Sequence, residues 1–134
     1  MSQTIQFVRP HGGSWAERVV RRANGVNRVK TELLKNPTVR AAIEALQQGD
    51  RKAWSELFEP DAELFDDGTP RSLNQFTRDA LGHERFTSID GVENGGLDLT
   101  GGFHSDRWGD FRTYFRFRLS SGGKIFRLDI GQAD

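Results

Sequence analysis

The sequence of 134 residues contains no cysteine, which excludes disulfides, thiol nucleophiles and thiolate metal sites. It has no run of about eighteen apolar residues and no unbroken apolar stretch near its start, so neither a membrane span nor a signal peptide is predicted. Its 19 basic and 19 acidic residues cancel, so no overall field would attract nucleic acid or a membrane surface. We therefore expect one cytoplasmic domain with no nucleic-acid or membrane partner.

The sequence also lacks the common motifs for phosphate loops, dinucleotide turns and zinc proteases, so no cofactor or metal is predicted. The three histidines are far apart in sequence, and surface or turn positions are the ordinary interpretation. His104 lies two residues before Asp106, however, and this spacing can place an imidazole at a strand end as a base or a hydrogen-bond donor.

Charge is unevenly distributed along the chain. Residues 1–36 hold seven basic and two acidic residues, a net charge of +5, so the remainder has a net charge of −5. Ser14 and Glu17 fit a capping box, and apolar residues recur at helical spacing as far as Leu34. We expect an arm and an extra basic amphipathic helix over 1–36, followed by a domain over 37–134. We interpret the basic residues as a solvated helix face that docks on an acidic surface of this chain or of a partner chain. The alternative is an arm that binds nucleic acid.

The domain over 37–134 has helical signals first and strand signals afterwards. Pro37 to Gln48, the segment capped by Asp50, and the segment from the Ser72 capping box to Leu81 predict three helices. This order of elements predicts an α+β fold. Strands are expected at 62–66, 86–92, 97–104, 110–119 and 124–130, the last four as an antiparallel meander.

The last two predicted strands have one apolar and one charged face. A loop at 120–123 would pair Phe117 with Phe126 and Phe115 with Leu128 on the apolar face. The other face would carry four polar residues, with two arginines directly opposite each other: Arg112, Tyr114, Arg116 and Arg127. Three interpretations stay open for it, namely a solvated face neutralised by Asp129, a homodimer interface, or a site for an anionic ligand.

Residues 49–68 and 122–129 carry a resemblance to a known family. A helix ending in Gly49-Asp50, a helix with Trp54 and Leu57-Phe58, then Pro60-Asp61-Ala62 and a strand ending at Asp66 resemble the nuclear transport factor two-like superfamily. The run Gly-Gly-Lys-Ile-Phe-Arg-Leu-Asp at 122–129 is similar to the last hairpin of that superfamily. Its members include SnoaL-like polyketide cyclases, ketosteroid isomerase, scytalone dehydratase and limonene epoxide hydrolase.

The resemblance implies a cystatin-like cone, in which a curved antiparallel sheet wraps around three helices and encloses an apolar pocket. Asp66 falls at the position of the isomerase general base, so it is the candidate catalytic residue, with His104 as a possible partner. On its own strand Asp66 has the same parity as Leu64, which should point to the core, so Asp66 is the only carboxylate expected inside the cone. The alternatives for Asp66 are a turn residue that accepts backbone amides and a polar contact to a bound ligand. The ligand-binding candidates, most of which would also serve as plain core, are Trp54, Phe58, Phe111, Phe115 and Phe117.

The resemblance also argues against one activity. Ala42 and Phe115 fall where ketosteroid isomerase has its two hydrogen-bond donors, so steroid isomerisation is not expected. We expect a protein that binds a small apolar molecule and, if it is an enzyme, performs cofactor-free isomerisation, dehydration or cyclisation. The alternative is a non-catalytic dimerisation or protein-association module whose cone is filled by its own side chains. An open cavity reaching Asp66 would favour the binder or enzyme.

Overall fold

The computed structural model describes residues 29–133. This part of the chain contains three helices, seven strands and two short 3-10 turns. The helices are α1 (Pro37–Gln48), α2 (Arg51–Glu56) and α3 (Leu73–Ala80), and the 3-10 turns are Thr31–Leu33 and Asn94–Gly96. The strands are β1 (Phe58–Asp66), β2 (Thr69–Arg71), β3 (Glu84–Phe86), β4 (Gly91–Glu93), β5 (Asp98–Ser105), β6 (Gly109–Leu119) and β7 (Ile125–Gln132).

The helix ends follow the capping chemistry in the sequence. The Asp50 side chain accepts a hydrogen bond from the amide of Ala53, and Ser72 accepts one from Gln75, as expected for N-caps. Gly49 ends α1 in the left-handed conformation at φ 70°, and a Cβ there would lie 3.0 Å from the Cα of Gly82. The predicted bounds of α1 are therefore confirmed.

The seven strands form one mixed sheet in the order β2-β1-β7-β6-β5-β3, with β4 also paired to β5. The β5–β6–β7 meander is antiparallel, as predicted, whereas β1 runs parallel to β7. The three helices and the inner face of the sheet share one core of aromatic and aliphatic side chains. The predicted architecture, an α+β cone, is confirmed.

Several predicted boundaries were wrong. β1 begins at Phe58, not at 62, and the short strand β2 was missed. The strand predicted at 86–92 is two strands, because the amides of residues 87 and 88 both donate to the one carbonyl of Gly102 and so interrupt the ladder with β5. The extra helix does not continue through its predicted end, where Thr31–Leu33 form a 3-10 turn and Leu34 is extended. The rest of that prediction, like the N-terminal arm, lies outside the described residues.

The register of the last hairpin was also predicted wrongly. Phe117 pairs with Leu128 and Phe115 with Ile130, a shift of two residues that keeps the same face inward. A β-bulge next to Leu119 makes Phe126 the extra, unpaired residue of β7. The fully buried Ile125 points to the core instead, and Phe126 is 43% exposed. The parity of β6 is as expected, but Phe126 does not belong to the core.

Candidate functional site

One end of the inner face encloses a partly open cavity of about 270 Å³. Residues from β1, β2, α3, β3, β5, β6, β7 and the β5–β6 turn line it. The apolar wall consists of Phe76, Phe103, Trp108, Phe111, Phe115 and Ile130, and the polar wall of Asp66, Arg71, Glu84, Arg107 and Thr113. The sheet thus brings four charged side chains into an otherwise aromatic cavity.

The aromatic wall is built by alternate residues of β5 and β6. The ring of Phe103 lies 5.7 Å from that of Phe111 and 5.6 Å from that of Phe115. Phe86 supports them from behind, at 4.9 Å from Phe115. Trp108, in the β5–β6 turn, is 44% exposed and carries the guanidinium of Arg107 at 4.8 Å from its ring centroid. Trp108 and Arg107 therefore lie where the cavity meets solvent.

Asp66 lies at the cavity, as its parity with the buried Leu64 predicted. The tight β1–β2 turn brings Arg71 back beside it, with 2.8 Å between Nη1 of Arg71 and Oδ2 of Asp66. The same guanidinium lies 5.1 Å from the ring centroid of Phe76. Asp66 is thus held in an ion pair at the cavity wall, with 26% of its side chain exposed.

Glu84 is a second carboxyl in the cavity, so the expectation that Asp66 would be the only one was wrong. The pairing of β3 with β5 places it opposite Ser105, whose hydroxyl donates to Oε2 of Glu84 at 3.0 Å. Burial raises the pKa of Glu84, and the Ser105 hydrogen bond and the charge of Arg71 offset this only in part. The sequence carries a signal for this position that was missed. Glu84 lies two residues before the fully buried Phe86, so both side chains are on the same face of β3.

Comparison with known proteins identifies the fold. No family model matches the chain, and no curated protein does. Among solved structures, OCP1 of Fremyella diplosiphon is 25% identical with a TM-score of 0.58, and the match covers 73% of this chain and 35% of that one. Further matches are described as nuclear transport factor two-like or cystatin-like proteins. The chain has the nuclear transport factor two-like cone fold.

Two other matches have descriptions that mention a ligand or an activity. The Orange Carotenoid Protein of Anabaena, solved binding canthaxanthin, is 22% identical with a TM-score of 0.58, over 72% of this chain and 35% of that one. A candidate polyketide cyclase from Sinorhizobium meliloti is 20% identical with a TM-score of 0.60, over 75% and 98%. This chain spans about a third of the length of OCP1 and of the Orange Carotenoid Protein.

Of the five aromatic ligand-binding candidates, Phe111 and Phe115 line the cavity. Trp54, Phe58 and Phe117 lie in the closed end of the cone and do not line it. Trp54 is fully buried, with its ring 5.0 Å from Phe58, and its Nε1 donates to Thr77 at 3.1 Å. These three side chains fill space between the helices and the sheet, which leaves no room for a ligand there.

His104 lies on the outer face of β5, on the opposite side of the sheet from the cavity. Its Nδ1 is 2.7 Å from Asp110 and its Nε2 is 3.2 Å from Asp106, which also lies 3.3 Å from Nδ1 of His83. This position does not support a partnership between His104 and Asp66. Within residues 29–133, no group of histidines and carboxylates is arranged to hold a metal ion.

The outer face of β6 and β7 carries the four residues predicted there, Arg112, Tyr114, Arg116 and Arg127. Arg127 forms three hydrogen bonds to Asp129 and lies 4.0 Å from the ring centroid of Phe65, and Arg112 pairs with Asp90. The opposed arginines are Arg118 and Arg127, not Arg116 and Arg127 as predicted, because of the register shift.

Part of the outer face is a hollow of about 350 Å³, which includes Tyr114, Arg116, Arg118 and Arg127. The guanidinium of Arg116 lies 4.4 Å from the ring centroid of Tyr114. Within the described part of the chain, neither Arg116 nor Arg118 forms an ion pair.

None of the described helices has the length and apolar character needed to cross a bilayer.

Proposed function

We propose that the cavity of the cone binds a small, largely apolar molecule. The observation that carries this proposal is the open space itself, which reaches Asp66, since an association module with a self-filled cone would have side chains there. The cavity is slightly smaller than the roughly 300–1,000 Å³ of typical ligand pockets, so the ligand is small. Its aromatic wall supplies apolar contact, and its few polar groups supply orientation.

The similar solved structures support this proposal in a general way. One is described as binding canthaxanthin and another as a candidate polyketide cyclase. Because one fold carries many functions, the argument for this chain depends on its own cavity.

We further propose that any chemistry in the cavity is cofactor-free proton transfer by its carboxyl groups, in an isomerisation, dehydration or cyclisation. Arg71 fixes the orientation of Asp66, which is therefore positioned to accept a proton from a bound molecule. Once a substrate is known, Asp66→Asn should lower turnover by about a hundredfold or more. Turnover within about threefold of wild type would make Asp66 only a turn residue.

Binding itself can be tested with indane, a hydrocarbon small enough for the cavity, by titration calorimetry. Wild-type protein should bind it, whereas Phe111→Trp, which adds bulk to the cavity wall, should bind it several-fold more weakly. Phe126→Trp is the matched control, because Phe126 lies outside the cavity. Equal loss in both variants, or binding unchanged in both, would contradict the proposed site.

A second proposal is that the outer sheet face forms a homodimer interface. It is favoured by the hollow that contains Arg116 and Arg118. Asp98 and Asp129 also line this hollow, but within the described residues neither arginine forms an ion pair, so a second chain could supply further carboxylates. Sedimentation at high micromolar concentration should show a dimer that Arg116→Glu dissociates. A monomeric wild-type protein would remove this proposal and leave the cavity proposal intact.

A further inference from the structure

Glu84 in the cavity wall accepts a hydrogen bond from the buried Ser105 behind it, and the backbone fixes the direction of this bond. The Ser105 hydroxyl, on a residue only 1% exposed, accepts hydrogen bonds from the amides of Arg107 and Trp108, each at 3.1 Å. A hydroxyl has two acceptor sites and one donor. Both acceptor sites are therefore used, and its one proton must point to Oε2 of Glu84 at 3.0 Å.

This arrangement leaves Oε1 as the oxygen of Glu84 that can carry a proton. Within residues 29–133, no other hydrogen bond reaches the Glu84 carboxyl. The charges around it are Arg71 from β2, Asp66 from β1 and Asp106 from the β5–β6 turn, with Arg107 also in the cavity wall. Arg71 is already paired with Asp66, so it does not neutralise Glu84 by direct contact.

We propose that Glu84, oriented by Ser105, is the specificity-determining residue of the cavity and, when protonated on Oε1, donates a hydrogen bond to an acceptor oxygen of an uncharged ligand. This inference rests on the proposed binding function and names its ligand class, a small apolar compound bearing a carbonyl or ether oxygen. Burial, which raises the pKa of Glu84, favours the neutral form over a wider pH range than for a solvated glutamate. The largely aromatic wall disfavours a charged ligand, which would lose its hydration on entering the cavity.

The inference can be tested with two probes of nearly equal shape, 1-indanone and indane, which differ in one acceptor oxygen. Their dissociation constants would be measured by calorimetry over a series of pH values from pH 5 to pH 8. In wild-type protein the preference for 1-indanone over indane should decrease as pH rises, by up to about fivefold, the size of one hydrogen bond. The reason is that a carboxyl can donate this hydrogen bond only while it is protonated.

Glu84→Gln is the decisive variant, because glutamine keeps a donor at every pH and has almost the same shape. It should show the same preference for 1-indanone at pH 5 and pH 8. Ser105→Ala should shift the pH at which wild-type preference is lost to a higher value, because it removes a hydrogen bond that lowers the pKa of Glu84. A merely structural role of Ser105 would change the affinity for both probes alike and leave that pH unmoved.

Two different failures are distinguishable. If both probes bind but their ratio is independent of pH in wild-type protein, or keeps its pH dependence in Glu84→Gln, the role of Glu84 is wrong and the cavity function stands. If neither probe binds at any of these pH values, the proposed function and this inference are both overturned.

Discussion

The two ends of β6 show how one strand face can serve two purposes. At one end Phe117, 1% exposed, is packed among buried neighbours such as Leu128. Six residues earlier on the same face, Phe111 is only partly buried and borders the cavity. The strand pattern is the same at both ends, so the difference arises from what the helices and neighbouring strands place opposite. Trp54 fills the closed end, whereas Asp66 and Glu84 stand at the open end.

The packed end of β6 contributes to stability, whereas its open end provides space for binding. Burial of large apolar side chains in close contact stabilises a fold, whereas a cavity forgoes part of that contact. The charged groups at the open end are tolerated because Asp66 is paired with Arg71, Glu84 is hydrogen-bonded to Ser105, and Arg107 lies over the ring of Trp108 where the cavity meets solvent. One substitution, Phe to Ala, can be made at both ends and on the outer face to measure the difference.

The largest effect is expected for Phe117→Ala in the closed end. Removal of a fully buried ring leaves a void, at a cost of about 3–5 kcal/mol in the free energy of unfolding. Urea denaturation monitored by circular dichroism would measure it. A loss below about 1 kcal/mol would mean that the closed end is not the packed core described here.

A smaller loss is expected for Phe111→Ala at the cavity. Its ring is partly solvent-exposed and faces open space, so about 1–2 kcal/mol should be lost. The same denaturation experiment applies, with Phe117→Ala as the reference. Equal losses in the two variants would remove the distinction between the ends.

A loss below about 1 kcal/mol is expected for Phe126→Ala, since this side chain is 43% exposed at the β-bulge. The register predicted from the sequence places Phe126 in the core, so it would give a loss of unfolding free energy close to that of Phe117→Ala. The variant therefore tests the bulge directly, and its urea midpoint should be near that of the wild type.

The smallest effect is a pH dependence associated with Glu84. Because the pKa of Glu84 is higher in the folded than in the unfolded chain, the folded state becomes less favoured as pH rises from the unfolded pKa through the folded one. Glutamine does not ionise, so the stability of Glu84→Gln relative to wild type should increase from about pH 4 to pH 8. Glu93→Gln, at an exposed position, is the control. A relative stability that is flat with pH would show that burial does not disfavour the Glu84 carboxylate.

Sequence reasoning succeeded where the signal is local. The bounds of α1 follow from Pro37 and Gly49, and the cap of α3 follows from Ser72, because helix ends are satisfied by side chains a few residues away. The alternation along β6 likewise set its inner and outer faces. Asp66 at the cavity came from strand parity together with a family resemblance.

The remaining features depended on residues distant in sequence, which only the tertiary structure brings together. The sequence by itself determined the α+β fold class, the helix caps and which side chains of β6 face the core, since these depend on local backbone chemistry and hydrophobic periodicity. The tertiary structure decided the parallel pairing of β1 with β7, the bulge that turns Phe126 outward, and the cavity. It also decided that Glu84 meets Ser105, because that contact needs β3 and β5 to pair in one register out of several that local sequence permits.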